Sequence, residues 1–151
     1  MKLLFILLIF ISFSVYAKEE CVFDETSYIE FINKYGRENR NSKIESDGKT
    51  LTVKRNDEEI IVKGGGCNHL GVTIELRAQQ EYTEKQFLQK TLELSIEFGG
   101  WLINVEALKD SIEKNQYRII GGTYYIEVDI MTVFNASYTS QGVINIDFYI
   151  N

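Results

Sequence analysis

Glu127 and Asp129 stand two residues apart in a stretch where apolar and polar residues alternate. On a strand their carboxyls would therefore share one side. Asp147 holds the same phase of a second alternating stretch and could face them from a neighbouring strand. Two carboxyls so placed could do general acid–base or glycosidase work, provided an apolar pocket raised the pKa of one of them. The opposite phase carries Ile126, Val128 and Ile130, so a solvated face on a half-buried sheet is the simpler reading. The other reactive pattern is Cys67-x-His69, whose side chains would also share a face of a strand. His69 is the sole histidine and Cys21 the sole further cysteine. A triad would rest on that one imidazole, and zinc needs three or four ligands. Gly64-Gly65-Gly66 lacks the Lys-Ser/Thr of a phosphate loop, and G-x-S-x-G, H-E-x-x-H and C-x-x-C do not occur. No cofactor and no metal are expected, and catalysis through Glu127 or Asp129 is the second reading.

The first reading is recognition. Tyr125, Glu127, Asp129 and Met131, with Asn145, Asp147 and Tyr149, would form an acidic, aromatic surface little broken by Lys or Arg. Tyrosines offer contact area at low entropic cost, and charge of one sign steers an oppositely charged partner. The loop Gly64–Gly71, with Asn68 and His69, is a second candidate surface. Asn135-Ala136-Ser137 is a glycosylation acceptor only in a eukaryotic source.

Composition narrows the partner. The chain has 151 residues, 44% hydrophobic and 25% charged, enough for one domain with a real core. Its 16 Lys+Arg against 22 Asp+Glu give a net charge of −6, which argues against nucleic acid and favours a basic protein.

The amino terminus has the form of an export signal. Met1-Lys2 precedes an apolar run, Leu3 to Phe13, and Val15 and Ala17 sit at −3 and −1 of a cut before Lys18. The run is too short to span a bilayer, so no stable membrane insertion is expected after cleavage. Residues 1–17 are read as a signal and 18–151 as a single domain, periplasmic or secreted. In an oxidising compartment Cys21 and Cys67 are most simply a disulfide, worth roughly 4 kcal/mol on the chain-entropy view. The short signal and lone cysteine pair look bacterial.

The elements that would position these residues follow from periodicity. Asp24 can cap a helix carrying Tyr28, Phe31, Ile32 and Tyr35, with Gly36 placed to end it. Strands are expected over Lys43–Ser46, Thr50–Arg55, Glu59–Lys63 and Leu70–Ala78, the first pair joined through Asp47-Gly48. Thr83-Glu84-Lys85-Gln86 is a capping box opening a helix that Gly99-Gly100 should stop. Asn104 can cap a further helix from Val105 to Lys114, with Trp101 sealing the core between the two. Gln116–Ile120 is a short strand before the Gly121-Gly122 turn. One long alternating strand is expected from Tyr124 to Phe134 and another over Val143–Ile150, paired through the Asn135–Gly142 connection. The final strand, ending at Asn151, could lie at a sheet edge and pair with a second copy as a homodimer.

This order predicts an α+β fold: a mainly antiparallel, curved sheet of six or seven strands, three helices on one face, and one disulfide. Gly121-Gly122-Thr123-Tyr124-Tyr125 keeps the glycine and last tyrosine of the S-G-x-x-Y loop of periplasmic lysozyme inhibitors. Gly121 replaces its serine and the two central helices fit that family poorly, so no family is assigned. Export, size, acidity and the lack of a catalytic set predict a non-catalytic immunity or inhibitor protein. It would neutralise a secreted toxin or a cell-wall hydrolase.

Overall fold

The computed structural model describes residues 25–65 and 70–150. Cys21, Cys67, Asn68, His69 and the export signal lie outside the described residues, as does the proposed cap Asp24. Three helices and eight strands occur among those described: α1 (Thr26–Glu38), β1 (Ser42–Ile44), β2 (Thr50–Arg55), β3 (Glu58–Gly65), β4 (Leu70–Ala78), α2 (Glu84–Gly99), α3 (Val105–Glu113), β5 (Tyr117–Ile120), β6 (Thr123–Glu127), β7 (Thr132–Tyr138) and β8 (Val143–Ile150). The α+β class holds. The sheet has eight strands rather than six or seven, every neighbouring pair is antiparallel, and it is open.

Strand order is β1-β2-β3-β4-β8-β7-β6-β5. Two four-stranded meanders are thus joined at β4 and β8, with α2 and α3 forming the connection between them. The final strand does not lie at an edge. It pairs with β4 on one side and β7 on the other, so a homodimer through β8 is closed off. β1 and β5 form the edges.

One phase of every long strand is apolar and buried. Leu51, Val53, Ile60, Val62, Val72, Ile74, Leu76, Phe134, Ala136, Ile144, Ile146 and Phe148 form one core with residues of all three helices. Burying each large side chain stabilises the fold by about 1.5–3 kcal/mol. Two glycines allow the closest approaches. A Cβ at Gly64 of β3 would overlap the Tyr28 ring of α1, and one at Gly99 of α2 would overlap the Phe148 ring of β8.

One reading of glycine as a helix stop is corrected. Gly36 lies inside the last turn of α1, where a Cβ would stand 3.3 Å from Ile44 Cδ1; the helix runs on to Glu38. α2 does end at Gly99 with Gly100 as its C-cap, as expected, although Gly100, at φ −61°, is right-handed rather than the left-handed cap common for glycine. The Thr83–Gln86 capping box and the Asn104 cap form as expected. Trp101 packs on Phe31 at 6.1 Å and on Tyr28 at 6.2 Å, and its Nε1 donates to the Phe98 carbonyl.

The largest correction concerns the stretch from Tyr124 to Phe134. It is two strands, not one, because the chain folds back between Glu127 and Val133, which pair across the hairpin. The extra strand raises the count to eight.

Candidate functional site

Parity along each strand decides what the solvent face carries. With Ile144, Ile146 and Phe148 buried, Asn145, Asp147 and Tyr149 must point away from the helices. Register then aligns them with their neighbours. Asp147 lies between Thr73 and Asn135, and Asn135 between Asp147 and Tyr125. Tyr125 is in turn opposite Arg118 on β5. In the next row Tyr149 is beside Val133, which is beside Glu127. On the other side of the Asp147 row, Asn145 sits between Glu75 and Ser137.

Five of the six proposed contact residues therefore share this face: Tyr125, Glu127, Asn145, Asp147 and Tyr149. Asp129 leaves it. Its carboxylate belongs to the β6–β7 turn, where Oδ1 accepts from the Met131 N–H at 2.8 Å and the Thr132 N–H at 2.7 Å. Oδ2 accepts from the Thr132 hydroxyl at 2.9 Å. Asp47 makes the same three bonds to Lys49 and Thr50 in the β1–β2 connection. The shared spacing Asp-x-x-Thr is the sequence signal that marks both turns. It also explains why Ile130, expected on the buried side of a strand, is fully exposed at a relative accessibility of 102%.

The turn bounds a groove of about 550 Å³ running from α3 to the sheet, lined by Asp110, Arg118, Tyr125, Glu127, Val133 and Asn135 among others. Asn135 and Arg118 were not anticipated as site residues. Asn135 falls in the stretch expected to connect two strands but lies on β7, and Arg118 breaks the acidic character expected of the surface. The Asn135 Oδ1 is buried without a hydrogen-bond partner among the described residues.

Charges are distributed unevenly over this face. On the β1–β4 half they neutralise one another: Lys43 bonds Glu45, Lys54 and Arg77 flank Glu59, and Arg77 also bonds Glu75. On the β6–β8 half, Glu127 and Asp147 form no ion pair among the described residues. Among the described residues the Asp147 carboxylate accepts only the Thr73 hydroxyl, at 3.0 Å.

Asp129 is poorly suited to be a general acid. Burial pushes the Asp129 carboxyl up, but the turn's hydrogen bonds outweigh it and hold the pKa below the usual range. That is the opposite of what a proton donor near neutrality needs. No group of three metal-ligating side chains occurs among the described residues, and no described helix is long and apolar enough to cross a membrane. The chain matches no family model, no curated protein and no solved structure.

Proposed function

We propose that this is an exported, non-catalytic binding protein whose β6–β8 face takes a basic protein. In cellular terms it is a periplasmic or secreted immunity or inhibitor protein that neutralises a toxin or a cell-wall hydrolase. The observation that supports the surface is the charge asymmetry: among the described residues, carboxylates are matched by cations on β1–β4, whereas Glu127 and Asp147 on β6–β8 form no ion pair. An unpaired carboxylate on a firm sheet is hydrated but not spoken for, and it attracts cations without first breaking an internal bond.

Export rests on residues 1–17, and the Cys21–Cys67 disulfide follows from it. Intact mass of the exported protein before and after reduction and alkylation tests the bond directly, and two free thiols in native material would refute it.

The functional test uses the exported protein against purified cationic wall hydrolases and basic secreted toxins. One-to-one binding that weakens steeply with salt, and that loses much of its salt dependence in Glu127→Gln/Asp147→Asn, supports the reading. Binding unaffected by salt or by the double variant would sink it.

A further inference from the structure

We infer that Ile130, with Met131 beside it, is the apolar anchor of this docking face, fitting an apolar pocket rimmed by lysines or arginines on a cationic protein. The inference rests on the reading above and adds to it the chemistry of the contact.

Ile130 contributes no packing to the fold, since its side chain is wholly in solvent. Met131 next to it is 53% exposed. Together they form the tip of the β6–β7 turn, at the unmatched half of the sheet. A flexible loop would have to be ordered on binding, at a cost of about 0.5–1.5 kcal/mol per immobilised side chain. This tip is already ordered, because the Asp129 carboxylate holds the backbone at Met131 and Thr132 and the Thr132 hydroxyl. An apolar centre ringed by polar groups is the arrangement in which a few residues carry most of an interface's energy. Here the ring is charged: Glu127 and Asp110 line the adjoining groove, as does Arg118. Asp110 is matched by Lys114 at 2.8 Å and the Asp129 carboxylate is taken up by the turn, which leaves Glu127 as a groove carboxylate with no ion pair among the described residues.

Asp129 changes role accordingly. It is a positioning residue that presents Ile130, not a charge that touches the partner. An asparagine could keep the two backbone bonds through its own Oδ1, whereas alanine could not.

The experiment takes a cationic hydrolase or toxin that binds the exported wild-type protein and compares four variants. Ile130→Asp should weaken binding at least tenfold with an unchanged melting temperature. Ile96→Asp, which alters an exposed isoleucine on α2, should bind like wild type. Asp129→Asn should retain affinity within about threefold, while Asp129→Ala should lose it and speed amide exchange at Met131 and Thr132. Wild-type affinity in Ile130→Asp would overturn the anchor and leave the charge-based reading standing. Equal losses in Asp129→Asn and Asp129→Ala would return Asp129 to a direct contact. Failure of the wild type to bind any cationic protein would remove both the reading and the anchor.

Discussion

Arg55 on β2 and Glu97 on α2 form a two-pronged ion pair across 42 positions of chain, and the Tyr35 hydroxyl of α1 donates to the same carboxylate at 2.6 Å. One carboxylate thus ties both early helices to the sheet. Burial pushes the Glu97 carboxyl up, but the bonds from Arg55 and Tyr35 outweigh it and leave the pKa below its ordinary 4.5. A depressed carboxyl stabilises the fold above its ordinary pKa, and that contribution is lost as pH falls through the folded value. Glu97→Gln should cost about 2 kcal/mol at pH 7. In urea titrations the gap between wild type and variant should shrink below about pH 4.

Phenols should limit stability at the other end of the pH scale. Tyr28 donates to the Lys49 carbonyl at 2.8 Å and to the Val62 carbonyl at 3.2 Å, and burial pushes its pKa well up. Burial and then Glu97 push Tyr35 up to about 12. A raised phenol stabilises the fold below its ordinary value of 10 and loses that contribution as pH rises through the folded value. The denaturation midpoint should therefore fall between pH 10 and 12. Tyr28→Phe should make that fall shallower while costing about 1 kcal/mol at pH 7.

Two core hydroxyls have no hydrogen-bond partner among the described residues. Thr91 Oγ1 and Ser95 Oγ, one turn apart on α2, are buried without a hydrogen bond. Removing such a group while keeping its shape relieves a desolvation cost. Thr91→Val should raise stability by about 1 kcal/mol, measured by chemical denaturation. A loss of stability would show that the hydroxyl is satisfied.

Gly99 is a packing residue. Gly99→Ala would place a methyl in the Phe148 ring and should cost about 3 kcal/mol, seen as a lowered melting temperature. The ordinary helix preference for alanine, worth about 1 kcal/mol, acts in the opposite direction and is too small to compensate. If Gly99 served only to end α2, the substitution would be close to neutral.

Where local chemistry decides, sequence and structure agree. Of the three expected caps, those at Thr83 and Asn104 form, because each needs only residues three apart, whereas α1 has Glu25 at its N-cap with no side-chain bond. Thr50–Arg55 and Leu70–Ala78 match the observed strands, because a two-residue alternation is visible without knowing the neighbours. The solvent phase of β6 and β8 was legible for the same reason, and it carries Tyr125, Glu127, Asn145, Asp147 and Tyr149. Asp129 and Ile130 were misplaced because alternation continues in the letters while the chain turns. Asp-x-x-Thr marks that turn, although no glycine stands in it to signal one.

By itself the sequence determined the α+β class, the capped helices, the phase of the strands and an acidic character overall. These depend on groups a few residues apart and on composition. Only the tertiary structure decided that β8 lies between β4 and β7, that Asn135 separates Asp147 from Tyr125, and that Arg118 faces Tyr125. It alone showed which carboxylates have cations beside them. Pairing and register depend on side chains distant in the chain, meeting at spacings set by the packed core, and no local pattern encodes those meetings.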